Sequence, residues 1–192
     1  MKFMKHEEAF TGLEAAIVLI AFVVVAAVFS YVMLGAGFFT SQKSQEVVHT
    51  SVDQASSSLE IHGDVYGLDS DDGDNVDLID FTITLTAGGS PVDVPKVAIT
   101  FQNSTYAGVV TYDKTQNGSD PNTANTWCIY KKVDSDDDTL LEFGEQFVIR
   151  LKPKGELPPD DKFSVDIKPP VGAALGLKRT IPPQVDAVNL LY

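Results

Sequence analysis

Between Ala15 and Phe29 the chain has no polar residue, and after Ser30 and Tyr31 the apolar run resumes to Phe39. A helix built from such a stretch carries apolar side chains on every face and is not stable alone in water. It has to be surrounded by lipid or by other protein, whatever the rest of the chain folds into. One charge, Glu14, lies at its start, just after Thr11 and Gly12. Ahead of it is a short polar leader, MKFMKHEEA, which carries Lys2 and Lys5.

Three fates are open to this segment. A secretory signal peptide would be removed after its apolar core, but such cores usually run to only about 7–15 residues, and here the stretch after the core still reads as helix. A plain transmembrane anchor fits by length, since about 20 apolar residues span a bilayer. In the third case a cut falls ahead of the apolar run, between the small Ala9 and Phe10, and the helix is kept as the mature N-terminus. Lys2 and Lys5 would hold the leader on the cytoplasmic side.

With Phe10 as the first mature residue, Gly12 is third and Glu14 fifth. This arrangement resembles the class III signal of type IV pilins and archaellins, the archaeal flagellins. TGLEAAIVLIAFVVVAAVFSYV and the following LGAGFFTSQKSQEVV are similar to archaellins in particular. The resemblance covers about the first 50 residues closely and the remainder loosely. It implies a prepilin-type signal peptidase that cuts on the cytoplasmic face and a hydrophobic helix that is retained. In place of the family's basic residues and glycine before the cut, this chain has Glu7, Glu8 and Ala9. The resemblance also implies that Glu14 meets the freed amino group during assembly. Read from the residues alone, Glu14 is an acid at a helix N-terminus, where the macrodipole favours it, and an unpaired charge that is costly in a dry core.

From Thr40 the pattern becomes amphipathic. Val47, Val48, Val52, Ala55 and Leu59 recur at spacings near 3.6, and nothing breaks the helix before His62-Gly63. The expected organisation is therefore a leader over 1–9, a helix over 10–62 and a head over 63–192. The helix from Thr11 to Ile61 would be a rod about 75 Å long at 1.5 Å per residue. Gly12, Leu13, Glu14, Ile17, Ile20, Val24 and Val28 are its candidate assembly and core positions. Gly35 and Gly37 mark either a bend or a place where helices pack closely, and the second is favoured because each glycine costs about 1 kcal/mol in an isolated helix.

Beyond Gly63 the period changes to two. Phe81, Ile83 and Leu85 alternate with threonines, and Val97-Ile99-Phe101, Phe147-Ile149-Leu151 and Phe163-Val165-Ile167 repeat the pattern. Weaker strands are expected at 106–112, 125–131, 173–180 and 184–191. Gly88-Gly89-Ser90-Pro91, Asn117-Gly118, Lys154-Gly155 and Pro169-Pro170 punctuate them. Seven or eight short strands read as an antiparallel β-sandwich of immunoglobulin type, so the fold class is α+β: a long hydrophobic helix and a β-sandwich. GEQFVIRLKP and PPVGAALGLKRTIP look like the C-terminal half of archaellin heads.

Charge and motifs exclude several functions. Residues 62–192 hold 11 Lys/Arg and 21 Asp/Glu, a net of −10, which repels nucleic acid. No nucleophile elbow, P-loop or Cys/His metal motif is present. The three histidines, His6, His49 and His62, form no recognisable cluster with Cys128, the only cysteine, which is expected to pack in the core. No enzymatic activity and no required cofactor are expected. Asp134, Asp136 and Asp138 alternate and Glu145 is twelfth from Asp134, an EF-hand-like order in which Thr139 replaces the turn glycine; Ca²⁺ or Mg²⁺ is the ion it would suit. Two sequons, Asn103-Ser104-Thr105 and Asn117-Gly118-Ser119, are glycosylation candidates, and the resemblance implies that archaellin heads are commonly N-glycosylated.

Taken with the resemblance, the expectation is a structural subunit of the archaeal swimming filament, the archaellum, that passes through the membrane and ends outside the cell. It would polymerise with itself or with paralogous archaellins, on a platform and motor supplied by other proteins. A pilin-like adhesion filament and a membrane-anchored β-sandwich binding module are the rival readings.

Overall fold

The computed structural model describes residues 4–56, 58–70 and 73–192, with the backbone alone for 4–11, 53, 55 and 56. The chain divides into two compact units, Met1–Thr50 and Ser51–Tyr192. Most of helix α1, Met4–Ser56, forms the first. No proline interrupts it, and consecutive apolar residues leave no polar face along Ala15–Phe29. Past Phe39 its surface becomes polar. Thr40 and Thr50 return their hydroxyls to the carbonyls of Ala36 and Glu46, at 2.8 Å each. Lys43 pairs with Glu46 one turn on, at 2.8 Å. An exposed pair of that kind contributes only a few tenths of a kcal/mol, so these contacts keep the helix soluble more than they hold it together.

The helix stops at Ser56, short of the Ile61 expected from spacing. Leu59–Ile61 form strand β1 instead. Leu59, Glu60 and Ile61 pair antiparallel with Leu85, Thr84 and Ile83, and Leu59 is buried in the core of the second unit. A further helical turn would leave Leu59 exposed like Val48 and Val52 before it. Burying one leucine stabilises by about 1.5–3 kcal/mol, which outweighs the small helix propensity of LEI. The β unit therefore starts before Gly63 and uses residues that the 3.6-residue spacing assigned to the helix.

The remaining strands are β2 Val65–Leu68, β3 Leu78–Leu85, β4 Val92–Asp93, β5 Ala98–Gln102, β6 Ala107–Tyr112, β7 Thr126–Val133, β8 Leu140–Leu141, β9 Gln146–Lys152, β10 Lys162–Lys168, β11 Leu175–Thr180 and β12 Val188–Leu191. They form one hydrogen-bonded path, β11-β10-β5-β6-β7-β9-β3-β2-β12, with β1 beside β3, and a separate β4-β8 ribbon. Every alternating segment in the sequence became a strand, and Gly118 and Gly155 adopt the positive φ that their turns require, +80° and +97°.

One pairing departs from the all-antiparallel expectation. β6 and β7 run parallel through Thr111–Thr126 and Tyr112–Trp127, because the chain leaves β6 through a 113–125 crossover and re-enters in the same direction. The path divides here into two halves that share a single core. Ile99, Phe101, Phe163, Val165 and Ile167 from one half cluster with Ile79, Phe81, Ile149, Leu151 and Trp127 from the other. Phe101 stacks on Phe163 with ring centroids 6.0 Å apart, and Trp127 meets Tyr112 at 4.7 Å. The ends of the path also touch: the Thr180 amide donates to the Tyr192 carbonyl at 3.0 Å. That bond ties the two edge strands, β11 and β12, to each other at one corner.

Leu59→Ala is expected to destabilise the β unit by about 2–4 kcal/mol, as for other buried leucine truncations, whereas Val48→Ala should leave it unchanged. Denaturant unfolding of the detergent-solubilised chain, followed by Trp127 fluorescence, checks this. Equal effects of the two would return Leu59 to the helix.

Candidate assembly surface and polar sites of the head

Seventeen large apolar side chains between Leu13 and Phe39 are exposed on α1. Leu13, Ile17, Ile20, Val24 and Val28 lie along one stripe, but Val18, Leu19, Phe22, Val23 and Val25 are as bare as they are. At about 2 kcal/mol per side chain, the unburied surface is worth of order 30 kcal/mol. No rearrangement of one helix can recover that. A Cβ placed on Gly12, Gly35 or Gly37 would meet nothing within 4 Å among the described residues. Glu14 is exposed at the start of the apolar run. Residues 9–11 contribute no described side chains, so the Ala9–Phe10 junction lies outside the described side chains.

The head contains a buried polar cluster that the sequence reading did not single out. On β9, Arg150 lies between Cys128 on β7 and Asp80 on β3, in register across three strands. Its Nε and Nη2 donate to the two Asp80 oxygens at 2.7 and 2.5 Å, a bidentate geometry matched to a carboxylate. Its Nη1 donates to Asp120, and the guanidinium lies 3.4 Å from the centroid of the Tyr130 ring. Burial works against the charge on Arg150, but the hydrogen bonds to Asp80 and Asp120 overcome it and hold the pKa above its ordinary value. The available signal was a charge set within each of two apolar strands, LIDFTITL and QFVIRLK. Buried charges of opposite sign at such places are normally each other's partners.

The 113–125 crossover closes over this cluster. Gly118 N donates to Ile129 O at 2.9 Å, and Asn117 Oδ1 accepts from Ile129 N at 3.1 Å. Cys128 is fully buried, with Sγ 3.3 Å from Ser119 O. Burial pushes the thiol up to about 11, against the lowering effect of Arg150 and with smaller raising contributions from Asp80, Asp120 and Asp113. A thiol in this state is a packing residue and a poor nucleophile.

In the 134–145 loop the carboxylates of Asp136, Asp138 and Glu145 are engaged by backbone amides. Both Glu145 oxygens are taken by backbone amides, Oε1 by Asp136 N at 3.2 Å and Oε2 by Glu142 N at 2.9 Å. Asp138 accepts from Leu140 N at 2.7 Å and Asp136 from Asp138 N at 3.3 Å. Asp134 has a positive φ of 54°. Among the described residues no group of three His, Cys, Asp or Glu gathers as metal ligands do; the loop is held by its own side-chain-to-backbone bonds. The two sequons lie in different settings. Asn103 starts the β5–β6 turn and Asn117 is within the crossover.

A naked apolar helix joined to a self-contained β head is a subunit architecture, and the comparisons assign it. Residues 9–179 match the family model of archaeal-type flagellin. The chain is an archaeal-type flagellin. It is 42% identical to "Probable flagellin 1" of Archaeoglobus fulgidus over 199 residues, covering 100% of this chain and 98% of that one. Its fold matches a subunit of the archaeal flagellum of Methanospirillum hungatei strain JF1 with a TM-score of 0.75 and 34% identity, over 94% of this chain and 99% of the other. The crystal structure of archaeal flagellin FlaB1 from Methanocaldococcus jannaschii shares the fold, at a TM-score of 0.55 and 18% identity over 70% of this chain and 96% of that one. This archaellin is thus a structural subunit of the extracellular archaellum filament, self-assembling and without enzymatic activity.

Asp80→Ala is expected to cost about 3–5 kcal/mol, because it leaves Arg150 charged and unpaired in the interior. Asp120 is 56% exposed, so Asp120→Ala should cost less than about 1 kcal/mol. Equal losses in urea unfolding would contradict this division. The thiol adds a pH signature. The native state keeps the Cys128 proton up to about pH 11 while the unfolded chain loses it near 9. Its contribution is complete below pH 9 and lost as pH rises towards 11. The difference in stability between wild type and Cys128→Ala should shrink over that window.

Proposed function

We propose that the chain is made with its leader, inserted in the membrane through α1, cut between Ala9 and Phe10 by a prepilin-type signal peptidase, and then moved sideways into the growing filament. The observation that carries this reading is the absence of any polar face on α1 from Ala15 to Phe29. A helix of that kind exchanges lipid contact for protein contact with little change in apolar burial, so the subunit need never cross water. The family match beginning at residue 9 supports a mature chain that starts next to it. Lys2 and Lys5 support a cytoplasmic leader.

In this reading Gly12, Leu13, Ile17, Ile20, Val24 and Val28 pack against other copies at the filament core. Glu14 is the one charge carried into that core, and the amine freed at Phe10 on the same or an adjacent copy is its partner. The pair then satisfies a carboxylate that dry protein could not otherwise hold. Gly35 and Gly37 let backbones approach where helices cross. Paralogous archaellins with the same helix can enter the same polymer, and a membrane platform and motor made of other proteins rotate it for swimming.

The test uses filaments sheared from cells. Intact mass and N-terminal sequencing should find the chain beginning at Phe10, and a chain beginning at Met1 and confined to membranes would overturn the maturation. Val24→Asp should abolish filaments, since one uncompensated charge in a dry bundle costs several kcal/mol per copy. Glu14→Ala should lower filament yield while the head stays folded. An unchanged yield would remove Glu14 from assembly.

A further inference from the structure

The two sequons carry the same motif but present opposite chemistry. At Asn103 the side-chain oxygen accepts three hydrogen bonds: Thr105 N at 3.0 Å, Thr105 Oγ1 at 3.1 Å and Tyr106 N at 2.7 Å. The hydroxyl that the motif requires at its third position therefore rests on the acceptor amide itself. The Asn103 amide nitrogen makes no hydrogen bond among the described residues. The turn is fixed at its base by Asn103 N to Tyr106 O at 2.8 Å, and at its tip by Ser104 Oγ to Asp161 Oδ1 at 3.1 Å. Ser104 and Thr105 are exposed.

Asn117 is the reverse case. Its amide nitrogen donates to Tyr112 Oη at 2.8 Å, and its oxygen accepts from Ile129 N at 3.1 Å. Both asparagines are half-buried, so the difference lies in their hydrogen bonds. The Ser119 hydroxyl, third in the motif, makes no hydrogen bond to it among the described residues. A sugar on Asn117 would displace Tyr112 and lever the crossover away from β7, above Cys128 and Arg150.

We propose that Asn103 is the N-glycan acceptor of the folded head and that Asn117 is not. The donor class is a lipid-phosphate-linked oligosaccharide. The Asn103 amide nitrogen forms a bond to the anomeric carbon as that carbon's bond to the phosphate oxygen breaks. The lipid phosphate leaves, and the nitrogen gives one proton to a base on the transferase. No oxidant or reductant is involved. The site also has room for its product. Asn103 and Ser104 border a groove of about 660 Å³ lined by Asp160, Lys162, Arg179 and Tyr192 among others. Lys162 and Arg179 give the groove polar donors for sugar hydroxyls. Tyr192 offers an exposed ring at the groove's edge. This inference rests on the reading that the head faces the cell exterior.

Peptide mapping by mass spectrometry, applied to the native chain from both sheared filaments and membranes, tests it. All glycan mass should fall on the peptide containing Asn103 and none on that containing Asn117. Asn103→Gln should remove the whole glycan mass from the intact chain, and Asn117→Gln should remove none. A glycan on Asn117, or a bare Asn103, overturns the assignment whichever fraction supplies the chain. Absence of the chain from sheared filaments would count against the filament reading alone, because the membrane fraction still reports on Asn103.

Discussion

An apolar helix with no polar face sets the terms for everything else in this chain. About 30 kcal/mol of unburied side-chain surface is several times the net stability of an ordinary domain. Such a helix needs lipid or other protein on every side. In the proposed reading the polymer supplies those neighbours, and a helix at the centre of a filament would meet them all round, which fits the lack of any polar direction along Ala15–Phe29.

The head solves the opposite problem. It has to be stable by itself, without a disulfide and at a net charge near −10. Its means are internal. A single apolar cluster joins both halves of the strand path, β6·β7 links the halves at one point, and Thr180–Tyr192 ties the two edges at another. Arg150 is held by two carboxylates and an aromatic face. This buried cation makes three strands and the crossover depend on one register, since a slip of one residue would put Arg150 into the core.

How legible this was in the sequence depended on the range of the interactions involved. The helix and the alternating strands could be read because their signals are local: an apolar run with no breaks, and a period of two over Phe81–Leu85, Phe147–Leu151 and Phe163–Ile167. The end of the helix could not, because Leu59 fits a 3.6-residue period with Val52 and Ala55 as well as it fits a strand. Its fate is decided by Leu85, 26 residues away. The parallel β6·β7 pair was hidden for a related reason, since direction is set by the crossover and leaves no mark on either strand. Asp80 and Arg150 each stood out as a charge inside an apolar strand, yet nothing local says that they meet. Likewise the two sequons are equivalent as strings. What separates them is Tyr112 and Ile129 on one and an open groove beside the other.

The join between the units follows from the same division of labour. The chain leaving the helix joins the β unit through a three-residue edge strand whose one partner strand is β3. It passes into β1, which takes the stretch of β3 from Ile83 to Leu85, on a strand that β2 pairs at Leu78–Asp80 and β9 along most of its length. Ser58 adds two contacts there, from Thr86 N at 3.1 Å and Thr86 Oγ1 at 3.1 Å. Leu59, buried in the apolar core, fixes this segment to β3, a strand that is itself paired with β2 and β9. The three residues that the 3.6-residue spacing assigned to the helix are thus the ones that bind the start of the β unit to its core, because a buried leucine outweighs one more turn of exposed helix.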